Sequence, residues 1–449
     1  QSVLQSGRPD NDILLYWPIH DFWQQPGDRL LPHFNVHSRG WFEAQPIGKT
    51  AKHLWNRGYA FDYVSDRQLA TAKAGKSGTI RLPGSSYGVV VVPPCDCMPA
   101  LTLQNLISLA RAGATVGFES HLPKDSPGFA NLEKQRAKFK RALREVKLGP
   151  ATGKFQEAKI GNGRVLVGEL ESALAGADVA REAMFDHAGL MCLRRAYDNG
   201  HDYFIANRGE QEIDDWITLA RRGHSVVLMD GLSGRVGAGE LRPGADGKAQ
   251  VHVQLAPGQS VVLRMLAQKH VDGPVWADWR LAGSPGEIKG TWRVEFIAGG
   301  PTLPRSIQTD QLASWTEFGG AEAQRFAGTA RYSIAFDAPD ASVKQWLLDF
   351  GKVCQSLRVR LNGRDWGTLI MPPFRVVVDE MKPTSNLLEV EVTNVSANRI
   401  RDLDRRGVKW KNFHDINFVN LNYKPFDASE WPLYDSGLLG PVTVAAIAP

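Results

Sequence analysis

The residues best equipped for chemistry in this sequence follow a short apolar run near its start. In NDILLYWPIHDFW, residues 11–23, the side chains His20, Asp21 and Trp23 come shortly after the run ILLYW. An imidazole and a carboxylate can bind the hydroxyl groups of a sugar, and an indole ring can stack on its apolar face. These residue types fit a carbohydrate site. The alternative is that Trp23 and the nearby Trp17 pack against another domain.

The apolar run places these side chains at the edge of a predicted sheet. It lies between Asp12 and Pro18, which is typical of a strand buried on both faces, as in a parallel sheet. Open α/β sheets bind ligands beyond the carboxyl ends of their strands. We therefore expect His20, Asp21 and Trp23 to lie at the rim of a substrate cleft.

Three further carboxylates, Asp62, Asp66 and Glu119, are predicted to end strands at the same edge. Glycoside hydrolysis with inversion requires two carboxyl groups about 6.5–9.5 Å apart, and a sequence does not give that distance. Short polar residues also end strands in α/β domains without catalytic sites, and a fold does not establish a function. We therefore assign Asp62 and Asp66 to the cleft rim, and a hydrolytic site built from these carboxylates is the less favoured alternative.

A second polar group lies near the C-terminus. Its members carry amide, carboxylate or indole groups and are Asn398, Asp402, Asp404, Asp427, Trp431 and Asp435. Calcium takes about six to eight oxygen ligands, and jelly-roll domains can present sugar-binding side chains, so both ligands are candidates. The alternation of Asp and Arg in RIRDLDRRG favours instead a structural role, in which these charges compensate one another and cap loops.

The first part of the chain alternates predicted strands and helices. Between residues 11 and 185, strands such as YGVVVVPP alternate with amphipathic helices such as TLQNLISLARAG. This rhythm predicts an α/β domain with a doubly wound, mostly parallel sheet.

The rest of the chain is predicted to be all-β. Residues 186–268, with a hairpin turn at Asp198-Asn199-Gly200, predict a small antiparallel β-sandwich. Residues 269–290 form a linker rich in Gly, Pro and Asp. Residues 291–449, with the turn dipeptide Asn362-Gly363 between two alternating runs, predict a second β-sandwich of jelly-roll type.

Composition narrows the functional classes. The 449 residues are 43% hydrophobic and 22% charged, which is ordinary for a multidomain globular protein. The net charge of +5 is spread along the chain. The basic run KQRAKFKRALREVK has helical spacing and is interpreted as the solvated face of a helix, because no recognition motif accompanies it, so we expect no nucleic-acid partner. The sequence contains no run of about 18 apolar residues, so we expect no membrane span. Four cysteines are too few for a disulfide framework, and Cys95-Asp96-Cys97 lacks a second ligand pair for zinc.

Four stretches, in this order, resemble the C-terminal portion of glycoside hydrolase family 106, the α-L-rhamnosidases. They are NDILLYWPIHDFW, HLWNRGYAFDYVSDRQL, NRIRDLDRRGVKW and NFVNLNYKPFDASEWPLYDSGLLGPVTV. The resemblance runs through nearly the whole chain, and the last stretch is the most specific.

The resemblance implies a longer parent enzyme. Its catalytic (β/α)₈ barrel would precede this region, with residues 1–10 as the tail of the last barrel helix. In that barrel, a pair of glutamates would work with bound calcium to hydrolyse a rhamnoside with inversion. Because none of the barrel motifs is present in this sequence, no catalytic glutamate is assigned to a position here. The α/β domain would be of the flavodoxin or amidotransferase-like type, and the jelly roll would be galactose-binding-like.

The same resemblance implies a rhamnose-containing carbohydrate substrate from a plant or microbial polysaccharide or glycoside, and a periplasmic or secreted location. We therefore expect this chain to be a non-catalytic accessory region of a glycoside hydrolase. The alternative is a stand-alone carbohydrate-binding or scaffold protein.

Overall fold

The computed structural model describes residues 2–24, 39–244, 247–340, 342–379, 381–412, 419 and 423–448. The chain forms two compact units, each rich in β-sheet and with few helices. Unit one comprises Gln1–Gly231, Arg235–Leu255 and Ser260–Trp276, and unit two comprises Leu232–Gly234, Ala256–Gln259 and Ala277–Pro449. Among the described residues, no helix combines the length and apolar character needed to cross a membrane.

The first part of unit one contains helices and strands. Its helices are α1 (Ser2–Gln5), α2 (Ile19–Trp23), α3 (Gly40–Glu43), α4 (Pro46–Asn56), α5 (Asp66–Leu69), α6 (Ala100–Arg111), α7 (Leu132–Leu143) and α8 (Leu170–Gly176). Its strands are β1 (Arg8–Pro9), β2 (Ile13–Tyr16), β3 (Phe61–Val64), β4 (Lys73–Ala74), β5 (Ile80–Leu82), β6 (Ser85–Tyr87), β7 (Val89–Val92), β8 (Thr115–Glu119), β9 (Ala151–Thr152), β10 (Phe155–Ile160) and β11 (Gly163–Gly168).

A seven-stranded sheet with the order β3-β2-β7-β8-β11-β10-β9 organises this part. Strands β3, β2, β7, β8 and β11 run parallel, so their carboxyl ends share one edge, which we call the carboxyl edge. β2 and β7 consist of aliphatic residues and Tyr16 and are buried at every position, because both of their faces are covered.

The two faces of this sheet have separate cores. Leu14 and Tyr16 pack on one face with apolar residues of α6, which we call the α6 face. Ile13 and Leu15 point the other way and pack with apolar residues of α4 and α8, on what we call the α4 face. The alternation follows from the period of two residues in a strand.

The second part of unit one is antiparallel. Its strands are β12 (Leu190–Tyr197), β13 (Gly200–Asn207), β14 (Ile213–Thr218), β15 (Ser225–Met229), β16 (Val236–Ala238), β17 (Leu241–Pro243), β18 (Ala249–Leu255) and β19 (Ser260–Leu266). They form a six-stranded sheet, β1-β12-β13-β19-β15-β16, and a three-stranded sheet, β14-β18-β17, which share one apolar core. The predicted hairpin at Asp198-Asn199-Gly200 is confirmed, since Tyr197 pairs with Gly200.

The first residues of the chain contact this antiparallel part. α1 covers only Ser2–Gln5, and β1 pairs with β12, with Arg8 opposite Ala196.

Unit two contains the remaining elements. Its strands are β20 (Arg280–Leu281), β21 (Gly286–Glu287), β22 (Trp292–Gly300), β23 (Ile307–Thr309), β24 (Ala327–Phe336), β25 (Trp346–Asp349), β26 (Lys352–Cys354), β27 (Ser356–Leu361), β28 (Arg364–Leu369), β29 (Arg375–Val378), β30 (Asn386–Thr393), β31 (Gly437–Gly440) and β32 (Thr443–Ala448). Its helices are α9 (Trp315–Phe318), α10 (Gly320–Gln324) and α11 (Ala397–Arg405).

Two larger sheets dominate unit two. One has the order β23-β22-β24-β30-β27-β28, and the other has the order β20-β32-β25-β29 with β21 also paired to β32. Aromatic residues such as Trp292, Trp315 and Trp346 fill the core to which both sheets contribute. The hairpin predicted at Asn362-Gly363 is confirmed between β27 and β28.

Candidate functional site

The carboxyl edge of the seven-stranded sheet carries most of the candidates near the start of the chain. α2 follows β2, which brings His20, Asp21 and Trp23 to this edge. α5 follows β3 and begins at Asp66, and Glu119 is the last residue of β8. The parallel strands therefore bring these residues to one edge, as the sequence predicts.

Asp21 ties α2 to the connection between β7 and α6. Its Oδ2 accepts a hydrogen bond from the N–H of Asp96 and its Oδ1 from the N–H of Cys97, each at 2.6 Å. Charge-assisted hydrogen bonds of this kind are short and strong. Because both oxygens are engaged, Asp21 positions its neighbours His20 and Trp23 and is not placed to act as a general base.

Asp66 is the centre of a second hydrogen-bonded group. It accepts hydrogen bonds from Tyr16 Oη at 2.7 Å and from Thr102 Oγ1, and His20 Nε2 lies 3.3 Å from its Oδ2. Burial opposes ionisation of Asp66, but the hydrogen bonds from His20, Thr102 and Tyr16 outweigh it and lower its pKa. A carboxylate held ionised in this way cannot protonate a leaving group at neutral pH, and it instead orients His20.

Aromatic rings cluster beside these residues. Trp23 is 54% exposed and meets the ring of His20 edge-on, with 5.2 Å between ring centroids. Trp17 is only partly exposed and packs on Phe42 and Tyr63, with centroid distances of 5.4 and 6.4 Å. Trp17 therefore contributes to internal packing, whereas Trp23 presents a ring on which a sugar could stack.

Glu119 lies on the other side of the sheet from Asp66. Its Oε2 accepts a hydrogen bond from Thr50 Oγ1 of α4 at 2.6 Å, whereas Asp66 is bonded to Thr102 of α6. Burial raises the pKa of Glu119, although the bond from Thr50 acts in the opposite direction. A raised pKa suits a general acid. Because Asp66 and Glu119 point to opposite faces, however, they cannot flank one glycosidic bond.

The strand-end placement predicted for Asp62 is wrong. Asp62 is the second residue of β3 and lies opposite Leu14 of β2, so it is inside the strand. The reason is that β3 continues to Val64, which puts its carboxyl end two residues further on. The Oδ2 atom of Asp62 accepts a hydrogen bond from Tyr87 Oη at 2.9 Å, which is a structural contact.

Two thiols lie at the same connection as the amides that bind Asp21. Burial raises the pKa of Cys95 and of Cys97, and the nearby carboxylate of Asp21 raises both further. The nucleophilic form of cysteine is the thiolate, which a raised pKa makes scarce at neutral pH. These thiols are therefore poor candidates for nucleophilic catalysis.

A buried group of charges in unit one gave no signal in the sequence. The side chains of Arg194 and Glu182 are each 2% exposed, and Arg194 Nη1 lies 2.5 Å from Glu182 Oε1. Arg194 Nη2 also lies 2.6 Å from Asp12, and Arg221 bridges Asp12 and Asp10 at 2.7 and 2.8 Å. These residues are far apart in sequence, so only the fold reveals that they compensate one another.

The C-terminal candidates have structural partners. The amide of Asn398 donates to the carbonyl oxygen of Tyr434 and accepts from its N–H, each at 2.8 Å. Asp402 pairs with Arg399 at 3.2 Å and with Arg406 at 2.7 Å. Charge compensation in RIRDLDRRG is therefore confirmed. These residues lie on helix α11, where residues three and four apart are neighbours, and their bonds to backbone groups of the loop before β31 fit the expected capping of loops.

The other C-terminal candidates are similarly engaged. Asp404 accepts hydrogen bonds from Trp410 Nε1 at 2.7 Å and from the N–H of Ala428 at 2.8 Å, and it lies 3.2 Å from Lys411 Nζ. The remaining members contact neighbours as follows: Asp427 accepts from the N–H of Ser429, Asp435 pairs with Lys352, and Trp431 packs edge-on against Phe426.

The donor set expected for calcium does not assemble in the described part of the chain. Asp402, Asp404 and Asp435 each contact a basic side chain, and Asp427 contacts a backbone N–H. Within that part, no three Asp, Glu, His or Cys side chains come together in a way that could hold a metal ion. Most of the stretch NFVNLN, residues 417–422, lies outside the described residues. Calcium therefore stays a prediction from the resemblance.

Comparison with known proteins gives a match to one family model. Residues 44–238 match the glycoside hydrolase family 106 model, described as alpha-L-rhamnosidase. This region covers much of unit one, including Asp66, Glu119 and Arg194. The family 106 resemblance of the sequence is thereby supported by an independent comparison.

Two relatives extend this result. A protein of Formosa agariphila, provisionally named a beta-glucuronidase, is 33% identical over 201 residues, which are 40% of this chain and 17% of that protein. The structure of a rhamnosidase from Novosphingobium sp. PP1Y matches 99% of this chain and 40% of its own, with a TM-score of 0.69 and 22% identity, and so shares the fold. The chain thus spans well under half of the length of both relatives.

Proposed function

We propose that this chain is the non-catalytic accessory region of a glycoside hydrolase that acts on α-L-rhamnosides, and that its carboxyl edge lines the rim of the substrate cleft. The observation that carries the proposal is that the carboxylates at this edge either already have partners within the chain or point to the other face of the sheet. Both carboxylate oxygens of Asp21 and of Asp66 have partners within the chain, and Glu119 points to the opposite face. The family 106 match and the 40% coverage of a solved rhamnosidase support a longer parent that supplies the catalytic carboxylates.

Binding, and not bond cleavage, is the chemistry that the edge residues can supply. Trp23 offers an exposed ring for the C–H face of a sugar, and His20 offers an imidazole whose orientation Asp66 fixes. Two hydrogen bonds to Asp21 keep α2, and therefore both side chains, in one position. Such preorganisation lowers the entropy cost of binding.

An assay of the chain alone tests the non-catalytic assignment. Aryl α-L-rhamnosides and aryl β-D-glucuronides should both remain intact, since the described residues of the edge include no acid–base pair. The second substrate is included because of the name of the Formosa agariphila relative. Hydrolysis of either substrate that disappears in the Asp66→Asn or Glu119→Gln variant would show that the edge is a catalytic site.

A second candidate function is stand-alone glycan binding, and the exposure of Trp23 favours it. Calorimetry with rhamnose-containing oligosaccharides should show binding that the Trp23→Ala variant loses. Trp55→Ala is the matched control, because Trp55 of α4 is also partly exposed at 39% but its ring packs against Phe185.

The location and the cofactor remain proposals that rest on the resemblance. We propose a periplasmic or secreted location, which cell fractionation of the native organism tests. We also propose calcium as a cofactor of the parent, and its removal by a chelator should lower the rhamnosidase activity of the parent.

A further inference from the structure

A separate cavity lies in unit two, where the end of β24 meets β21 and the turn before β30. Its volume is about 410 Å³, and the lining includes Glu287, Lys289, Phe336, Asp337, Ser385 and Val444. None of these residues belongs to the candidate sites considered above. Ligand cavities of about 300–1,000 Å³ are typical of small-molecule sites, so a sugar residue fits.

The floor of the cavity is formed by β21 and β32. Gly286 pairs with Val444, and the N–H of Ile288 donates to the carbonyl oxygen of Val442 at 2.9 Å. Ile288 is buried, so Glu287 and Lys289 on either side of it project away from the core. Both charged side chains therefore lie on the open side of this floor.

The wall opposite them is fixed by hydrogen bonds. Asp337 Oδ1 accepts from the N–H of Ser385 at 2.8 Å. The adjacent Asn386 is fully buried and both donates to the carbonyl oxygen of Lys382 and accepts from its N–H, each at 2.8 Å. The turn that carries Ser385 is thus held in place from within, which gives the cavity a preformed shape.

The charges of the lining select among ligand classes. The side chains of Glu287 and Lys289 make no hydrogen bond or ion pair with any other residue that the structure describes, and both residues are exposed. Together with Asp337 they carry two negative charges and one positive charge, which disfavours phosphate or a uronic acid. The ammonium group of Lys289 disfavours a divalent cation, which would in addition require more oxygen ligands.

A neutral polyhydroxylated ligand suits this lining. A carboxylate can accept hydrogen bonds from neighbouring hydroxyl groups, and an ammonium group can donate to a hydroxyl or ring oxygen. The half-buried ring of Phe336 supplies apolar contact for the C–H face or the methyl group of a sugar. We propose that this cavity binds a neutral hexose or deoxyhexose residue of a glycan. The choice of a glycan as ligand rests on the proposed function.

Calorimetry on the full chain tests this site. The probes are methyl α-L-rhamnoside, methyl β-D-galactoside and galacturonate at millimolar concentrations. We expect at least one of the neutral sugars to bind, and Glu287→Gln and Lys289→Gln to weaken that binding by about tenfold each, because each removes a charge-assisted hydrogen bond. Asp337→Asn should weaken binding while keeping an oxygen that accepts from Ser385.

The matched control is Glu322→Gln, which changes an exposed carboxylate of α10 outside the cavity and should leave binding unchanged. The site would be disproved if no neutral sugar bound at millimolar concentration, if the cavity variants bound as the native chain does, or if galacturonate bound more tightly. Rhamnoside hydrolysis by the parent is measured separately. Hydrolysis by the parent without sugar binding here would overturn the cavity alone, and binding here without hydrolysis would overturn the proposed function alone.

Discussion

The carboxylate of Asp21 has both oxygens bound to consecutive backbone amides, those of Asp96 and Cys97. Replacement of Asp21 by alanine leaves two N–H groups without their acceptor, so we expect the free energy of unfolding to fall by about 1–3 kcal/mol. Asp21→Asn keeps one acceptor oxygen and should lose less. Urea unfolding followed by tryptophan fluorescence measures both changes.

The control for this prediction is Asp96→Ala. The side chain of Asp96 is 57% exposed and pairs with the exposed Lys124, and such surface pairs contribute little. An Asp21→Ala variant as stable as Asp96→Ala would mean that the two amides do not depend on this carboxylate.

Replacement of Glu119 should have the opposite effect on the stability of the fold. Its pKa is raised in the folded chain because burial penalises its charge. Ionisation of this group above its ordinary pKa therefore destabilises the folded state, and the stability associated with its neutral form is lost as the pH rises through the raised value. Glu119→Gln keeps an acceptor for Thr50 and removes the charge, so we expect a higher urea midpoint at pH 7 than in the native chain.

The pH dependence decides whether this explanation holds. Below the ordinary pKa of the glutamate, near pH 4, the native side chain is largely neutral, and the advantage of Glu119→Gln should shrink. An equal gain at both pH values would point to better packing of the amide and not to the charge.

Individual elements differ in how well the sequence predicts them. Local signals predict β7 from four consecutive valines, α6 from its apolar stripe, and the hairpin at Asn362-Gly363 from its turn dipeptide. α11 was missed, because nine residues with a very polar composition lack the apolar spacing that a helix prediction needs. The position of Asp62 inside β3 is not predicted either, since pairing with β2 and not the local residues determines where that strand ends.

The candidate site was predictable only in part, for the same reason. Residue types and parallel strands suffice to bring His20, Asp21 and Asp66 to one edge. Their partners Tyr16, Thr102 and Cys97 come from other strands and helices, and partners at such a sequence separation leave no local pattern.

The buried charges between β12 and the start of the chain lead to a prediction at the level of elements. Arg194→Met removes the cation that compensates Glu182 in a site where both side chains are 2% exposed. Breaking a buried pair by removal of one partner costs about 3–5 kcal/mol. Chemical denaturation of the variant should show this loss, and Arg195→Met, which changes the next residue of the same strand, should show a smaller one.

Asp10, a member of the same group, should make the stability of the chain depend on acidic pH. Burial of Asp10 opposes its ionisation, but hydrogen bonds from His201 and Arg221 and the charge of Arg194 outweigh it and hold its pKa well below the ordinary value. The stability that Asp10 contributes is fully present above its ordinary pKa, and it is lost progressively as the pH falls from that pKa to the lowered one. Asp10→Asn should therefore reduce stability at pH 7 and leave a flatter profile between pH 5 and 2 than the native chain shows.

For the molecule as a whole, the proposed role predicts a kinetic signature in a full-length parent enzyme. If Trp23 contacts the substrate equally in the ground state and the transition state, Trp23→Ala should raise KM for an α-L-rhamnoside and leave kcat unchanged. Trp55→Ala serves as the control. A fall in kcat with an unchanged KM would place Trp23 in the reaction step and contradict an accessory role.

The contacts of Asp21 also bear on the charge of the ligand that this edge accepts. Consecutive backbone amides such as those of Asp96 and Cys97 form a natural receptor for anions. Here the carboxylate of Asp21 already occupies both amides. An external phosphate or uronate must therefore displace this carboxylate, which belongs to the same chain and so has an effective concentration of about millimolar or more. An acidic ligand therefore gains no free anion receptor from these two amides.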